Sequence, residues 1–539
     1  VSAGRELAVL VACAIAYFVG TGEVPFYTRG EPREGLVVRE MLRTGDWLVP
    51  ARPDDEPTRK PPLYYWAAAP VLAALPDAPE RALRLPSAVL ATAAVLATWA
   101  TARAAWGPAS ALPAALVLAT AFEWVRAATS ARVDMTLAAM LACAFAGFVL
   151  ALARGSGWTV LAAAGAALGT LAKGPVALML PALAFAVFAL GRREVAAIRR
   201  LRAPTVLAAA AVVAAVWYAL AYHRLGAELL GVVARENWLR FLGADDADAS
   251  HRHGPLYLVG LGLVGFLPWT PLLPLGLAFA ARRPRTAPTA FAAAWAVAVF
   301  AFFAVAAAKR SVYLLPATPA LACLVGAAVT AAPEEGPLVG LTRKLALLYA
   351  PGLALVALLL AALAAGLDPS PLTDRLLRPS DAIGARTLVS AARAAAPALA
   401  AVALATLAAA VLAGRAARAA AWRRVVFVVS VTMVLWTATF NVLIHPAIAR
   451  ARTLKSFLAH VATVAPVDRP LYARFPPDPG LRFYAPRHLR PWPTPDPPPR
   501  HVLLWEDDWS RLETPSRLRV IAKSDAVQGR RGRLLLVAD

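Results

Sequence analysis

The chain has 539 residues, of which 59% are hydrophobic and only 16% charged, and its formal net charge is +22. An ordinary soluble domain carries roughly 25% charged residues, and its core could not bury a dozen apolar runs of about 20 residues, each long enough to cross a bilayer. The positive charge sits in short arginine clusters between those runs, so it reads as membrane topology and excludes a nucleic-acid-binding face.

In chain order, the first apolar run covers about residues 5–22. No small-residue cleavage pattern follows it, so it is read as a spanning helix with a cytoplasmic N-terminus rather than as a signal peptide. Residues 23–83 are polar, and short surface helices are expected at about 32–44 and 60–76. The second carries Tyr64, Tyr65 and Trp66, aromatics that suit the interface. Further apolar runs follow at about 84–104, 108–121, 131–153, 157–171, 175–191, 204–222, 255–280, 288–308, 311–331, 341–365, 393–413 and 424–443. With the first they make about thirteen spans.

Loops after even-numbered spans carry Arg103, Arg154, the cluster from Arg192 to Arg202, Arg282 with Arg283 and Arg285, Arg343 with Lys344, and Arg415 to Arg424. Short basic loops face the cytoplasm. Residues 23–83 and the C-terminus are therefore expected outside. Beyond about residue 450 the hydropathy drops. A helix at about 452–464 and strands at 470–473, 481–485, 501–505, 517–522 and 533–537 predict a small extracytoplasmic α/β domain over 452–539, after a membrane domain over 1–445. Cys13, Cys143 and Cys323 lie inside apolar runs without CxxC spacing and read as small buried hydrophobes.

Polar residues that break this pattern gather on the outer side. Glu31 and Glu34 are three apart and would share a helix face, as a carboxylate pair or as part of a solvated loop. In RKPPLYYW, tandem prolines fix Lys60 beside aromatics, which suits a lipid phosphate or ordinary interfacial snorkelling. Asp134 stands at the start of an apolar run, where an acid is costly unless paired or used; Arg126 or Arg132 would be its structural partner. Lys173 occupies a tight outer turn shaped by Gly174 and Pro175. Segment 236–257 holds Glu236, Asn237, Arg240, His251 and His253, and two histidines at i, i+2 near acids leave a divalent ion as an open alternative. Lys309, Arg310 and Tyr313 form a second cationic cluster. Acids suited to a displacement and fixed cations suited to an anion, all on one side, favour an enzyme acting on a lipid phosphate. A transporter would more often place charges in mid-membrane broken helices, and a structural scaffold is the third alternative.

The same residues carry a family likeness. GEPREGLVVREMLRTGDWLVP, RKPPLYYW, RLPSAV, ARVDM, LAKGPVALMLP, ENWLRF, HGPLYL with a later PW, and KRSVYLLPATPA occur in that order up to about residue 325. Together they resemble the bacterial aminoarabinose transferase and protein O-mannosyltransferase group of membrane glycosyltransferases. The resemblance implies the GT-C fold: an all-α polytopic membrane protein, here of about thirteen transmembrane helices, with a small C-terminal α/β domain outside the cytoplasmic (inner) membrane. It implies an inverting transfer from a polyprenyl-phosphate-linked sugar, 4-amino-4-deoxy-L-arabinose in one branch, to a lipid A-like or other envelope lipid, or to a protein as in the mannosyltransferase branch. A polyprenyl-lipid transporter is the remaining alternative. By motif, Glu31 stands at the Glu of the family's Asp-Glu pair, while Gly30 replaces the Asp, whose task would pass to Glu31 or Glu34. Asp134 matches a second functional acid. Lys60, Arg240 and Tyr313 match positions around the lipid phosphate, with Lys309, Arg310 and Lys173 as further candidates for binding the substrate or the lipid phosphate. His251 or His253 lies near a metal-linked histidine, but Arg59 replaces its partner acid, which argues against a zinc site of the family kind. No cofactor beyond an optional divalent metal is expected, the bilayer and the two substrates are the partners, and the chain is read as a monomer.

Overall fold

The structure is a computed structural model that describes residues 3–53, 60–191, 195–243, 253–282, 286–331, 336–376, 379–466, 468–492, 501–511, 518–525 and 532–538. The first nine helices are α1 (Ala3–Ile15), α2 (Gly30–Thr44), α3 (Leu63–Ala74), α4 (Pro79–Trp106), α5 (Pro108–Thr120), α6 (Phe122–Ala128), α7 (Val133–Arg154), α8 (Thr159–Lys173) and α9 (Val176–Gly191). The apolar runs read from the sequence fall mainly on helix, although the first leaves helix after Ile15 and continues as turns over 16–22. Among the described residues, however, 8 helices are long and apolar enough to cross a membrane, or up to 10 if each bent pair is one span. The shortfall from about thirteen has a physical cause. Helices α1, α8 and α9 have 13, 15 and 16 residues, and at about 1.5 Å per residue each falls short of a hydrocarbon core of about 30 Å. The run at 108–121 bends by 65° into α6, and the run at 255–280 breaks by 110° between Pro255–Gly265 and Thr270–Arg282.

Helix α7 is the central element, with 89% of its apolar window buried against 22% for Gly340–Ala364. It packs against α8 through small residues. A Cβ on Gly147 would lie 2.3 Å from the Ala162 nitrogen, and one on Gly165 would lie 2.6 Å from the Ala144 nitrogen. Such positions let two backbones touch. The tight antiparallel pair brings the start of α7, with Asp134, beside the end of α8, with Lys173.

Helix α2 lies across this end of the bundle. Glu31 in its first turn complements the helix dipole. Gly45 ends it in the left-handed conformation, φ 71°, with its N–H on the Met41 carbonyl. Glu31, Glu34, Val38 and Met41 lie on one buried stripe. With Phe26, Tyr64, Tyr65, Leu72, Leu83, Val133 and Phe483 the apolar members form a separate outer core.

The C-terminal domain holds one five-stranded sheet of β1 (Leu471–Ala473), β2 (Leu489–Pro491), β3 (His501–Trp505), β4 (Arg519–Lys523) and β5 (Leu534–Ala538), in the order β2-β1-β3-β5-β4. The β1 pairs are parallel and the β5 pairs antiparallel. Helix Lys455–Val464 covers one face through Phe457, Leu458 and Val461. One expected strand is wrong. Residues 481–485 fall in the short helix Pro479–Tyr484, because Asp478 caps its N-terminus by accepting from the Leu481 N–H at 2.9 Å and Pro479 takes the first turn.

That short helix docks on α2. Phe483 packs edge-to-face on Phe26 at 5.2 Å, and the Arg39 guanidinium lies 3.7 Å from the Phe483 ring centroid and donates to its carbonyl. Tyr484 Oη donates to Glu80 at 2.6 Å and accepts from the Phe26 N–H at 2.7 Å. Gly35 is required here, since a Cβ would come within 2.7 Å of both Leu83 and Phe483.

Candidate active site

Three ion-pair systems meet where α2, the Lys-Pro-Pro turn and the facing ends of α7 and α8 converge. The first is Glu31 with Arg84. The guanidinium donates through Nε at 2.7 Å and Nη2 at 2.9 Å to the two carboxylate oxygens, and through Nη1 to the Thr21 and Val24 carbonyls at 2.6 and 2.7 Å. Glu31 also accepts from the Ala131 N–H at 3.0 Å. Arg84 is 2% exposed and Glu31 7%, so a buried, bidentate pair ties α2 to α4 and to the entry of α7. Burial opposes charge on Glu31, but Arg84 and the Ala131 N–H outweigh it and hold the carboxyl below its ordinary range.

The second system is Glu34. It accepts from Lys60 Nζ at 2.8 Å, Arg33 at 3.1 Å and Tyr65 Oη at 2.6 Å. Pro61 and Pro62 lead directly into α3 and aim Lys60 at α2, while Tyr65 reaches the other carboxylate oxygen from the first turn of α3. Burial raises the Glu34 pKa, but Lys60 and Arg33 outweigh it and hold it at about 2. Burial also pulls the Lys60 ammonium below its ordinary value, against the attraction of Glu34.

A carboxylate with a depressed pKa contributes stability above its unfolded value and loses that contribution as pH falls through the folded value. The folded protein is therefore expected to lose stability between about pH 4.5 and pH 2 from this group. Thermal unfolding in detergent across that range checks it. Glu34→Gln should flatten the profile there, and an unchanged slope in the variant would refute the assignment.

The third system is Asp134 with Lys173. Lys173 donates to the Asp134 carboxylate, and its ammonium lies 5.4 Å from the Tyr313 ring centroid, a cation–π distance. Tyr313 is itself stacked on Phe303 at 4.6 Å. Lys60 and Arg132 also exert their charge on Asp134. The structural partners expected from the sequence are not the ones used: Arg126 pairs with Glu123 and donates to Ser311 at 3.0 Å. Gly174, at φ +87°, follows Lys173, and a Cβ there would lie 3.0 Å from Asn237 Oδ1. The turn thus needs glycine for its conformation and for the close approach of the 234–239 segment.

Of the other expected site residues, Tyr313 lies in the 3-10 helix Ser311–Ala317 and Arg310 immediately precedes it. Lys309 is 3% exposed and turned onto the Ala306 carbonyl, outside the three systems. Arg240 opens the short helix Arg240–Leu242 beyond the π-helical turn Ala234–Leu239; its side chain lies outside the described residues. His253 is exposed and packs on Tyr257 at 4.0 Å, while His251 and Arg59 lie outside the described residues. Among the described residues no three His, Cys, Asp or Glu side chains are grouped to hold a metal ion. Arg84 and Arg33 carry no site role in the sequence, and Tyr65 reads there only as an interfacial aromatic. Arg84 stood in the RLPSAV block, and a guanidinium inside an apolar run was the available signal.

Residues 59–220 match the family model described as dolichyl-phosphate-mannose-protein mannosyltransferase. Over 328 residues, 59% of this chain, it is 31% identical to the undecaprenyl phosphate-alpha-4-amino-4-deoxy-L-arabinose arabinosyl transferase of Pseudomonas aeruginosa strain PAO1, and the match covers 58% of that protein. The enzyme of the same name from Aeromonas salmonicida is 27% identical over 328 residues, 59% of each chain. The chain thus spans less than two thirds of the length of these curated relatives. The crystal structure of ArnT from Cupriavidus metallidurans bound to undecaprenyl phosphate superposes with a TM-score of 0.79 over 100% of this chain and 98% of that one, at 24% identity. The chain therefore has that fold: helical and polytopic, with a small C-terminal β-sheet domain.

Proposed function

We propose that this chain transfers a sugar, with inversion, from a polyprenyl phosphate to an envelope acceptor at the outer face of the cytoplasmic membrane. The sugar we propose is 4-amino-4-deoxy-L-arabinose and the acceptor a lipid A-like glycolipid, after the relatives named above. The observation that carries the reading is the Asp134 carboxylate set among Lys60, Lys173 and Arg132, which come from three separate segments at one end of the bundle. An acceptor oxygen attacks the anomeric carbon as the bond from that carbon to the phosphate oxygen breaks. The departing phosphate takes the electron pair, and fixed cations stabilise it without reorganising. A phosphate acceptor attacks already ionised, so Asp134 then orients it and balances the cations. The match to the mannosyltransferase model spans Lys60, Asp134 and Lys173 and supports a second reading, a protein hydroxyl acceptor whose proton passes to Asp134. Glu31, with both oxygens held by Arg84 and Ala131, serves position rather than proton transfer in either case.

We also propose about thirteen crossings, with the C-terminal sheet domain outside, the short α1, α8 and α9 being accommodated by local thinning of the bilayer. A reporter fused after residue 450 should be active only outside the cytoplasm.

The deciding assay supplies purified protein in detergent with a polyprenyl-phosphate sugar and a phosphorylated lipid A. Release of polyprenyl phosphate and an inverted anomeric centre by NMR are expected. Movement of intact lipid across vesicles without cleavage would establish a transporter instead. Lys60→Ala should weaken polyprenyl-phosphate binding by roughly tenfold or more, the scale of one charge-assisted hydrogen bond, and unchanged affinity would remove Lys60 from the site.

A further inference from the structure

Arg132 is the cation that the three ion-pair systems leave over. It sits at the N-cap of α7 with extended backbone, φ −145° and ψ 142°, two residues before Asp134. Glu31 is taken by Arg84, Glu34 by Lys60 and Arg33, and Asp134 by Lys173. Among the described residues Arg132 has neither an ion pair nor a hydrogen bond, and its Nε is buried without a partner. A buried guanidinium donor without an acceptor is costly and normally finds one. The guanidinium lies against Gly30: a Cβ on that residue would come 3.3 Å from Arg132 Nη2. A carboxylate-bearing side chain at position 30 would therefore meet and neutralise Arg132. Glycine there leaves the guanidinium unneutralised, while its charge acts on both Glu31 and Asp134.

We propose that Arg132 is a substrate-binding residue that donates to a phosphate oxygen beside Gly30 and Asp134, and that glycine at position 30 is what keeps it available. The assignment rests on the proposed function and deepens it. A guanidinium suits this role because its planar fork can give two parallel hydrogen bonds to a phosphate. The phosphate belongs either to the polyprenyl donor or to a phosphorylated acceptor, and the chemistry of recognition is the same.

The test titrates the full chain in detergent with undecaprenyl phosphate, undecaprenol and bis-phosphorylated lipid A. Wild-type protein that does not prefer undecaprenyl phosphate to undecaprenol would sink the proposed function itself. Given that preference, Arg132→Ala should weaken binding of at least one phosphate lipid by roughly tenfold to a hundredfold and leave undecaprenol unaffected. Loss for undecaprenyl phosphate assigns the donor phosphate, and loss for lipid A alone assigns the acceptor. Gly30→Asp should reproduce the loss by supplying the missing carboxylate, and Arg132→Lys should retain part of the affinity. These two variants carry the comparison if Arg132→Ala does not elute as a folded protein. Unchanged affinity for both phosphate lipids in folded Arg132 variants would overturn the proposal.

Discussion

Asp134→Asn is expected to fold, to bind polyprenyl phosphate at least as tightly as the unaltered protein, and to turn over about 100-fold more slowly or worse. The expectation follows from charge. Lys173 pairs with Asp134, and Lys60 and Arg132 add their fields. Removing the negative charge leaves those cations more attractive to an anion, so ground-state affinity should hold or rise while the group proposed to orient or deprotonate the acceptor is lost. Asparagine still accepts from Lys173, which limits the structural cost. Folded yield, polyprenyl-phosphate affinity and single-turnover rate separate the two effects. A large loss of folded protein with normal turnover in the survivors would make the pair purely structural.

Arg84→Ala is expected to cause the largest loss of stability, about 3–5 kcal/mol, the usual cost of stranding one partner of a buried ion pair. The variant leaves Glu31 with the Ala131 N–H as its remaining donor and leaves the Thr21 and Val24 carbonyls without their guanidinium partner. Replacing both partners by apolar residues, Arg84→Met with Glu31→Leu, should recover much of the loss, because the desolvated charge is then gone. Unfolding midpoints in detergent for the single and double variants check this. A single variant as stable as the wild type would show that the pair does not brace α2.

The sequence showed the helices more clearly than their crossings. Apolar runs such as 131–153 and 288–308 became α7 and Ala287–Val305, because twenty apolar residues have one stable arrangement in hydrocarbon. Bends such as the 65° break after Thr120 depend on packing that composition does not record. In the C-terminal domain LRFYA has the aromatic content of a strand, but the Asp-Pro cap before it starts a helix. Strand β2 has three residues and ends on a proline, too short to show a period. At the site, the residue types were legible and the pairing was not. The i, i+3 spacing groups Glu31 with Glu34, yet Glu31 is saturated by Arg84, 53 positions away. The sequence offers Lys173 as a turn residue and a phosphate-binding candidate, and its carboxylate partner, Asp134, stands 39 positions away. The Asp134–Lys173 pairing depends on the close approach of α7 and α8 at Gly147 and Gly165, which a single sequence does not display.

The clasp of Tyr484 on Phe26 and Glu80 carries a consequence for biosynthesis. Phe26 and Tyr484 are 458 positions apart, and ribosomes add about 5–20 residues per second. Helix α2 therefore emerges early and waits tens of seconds before the segment that braces it is made. A nascent chain already threaded into the bilayer has its site acids and cations but not their outer support. Stop codons anywhere upstream of position 479 would leave that brace missing, so late nonsense alleles should cost the folded protein as much as missense changes among the ion pairs themselves.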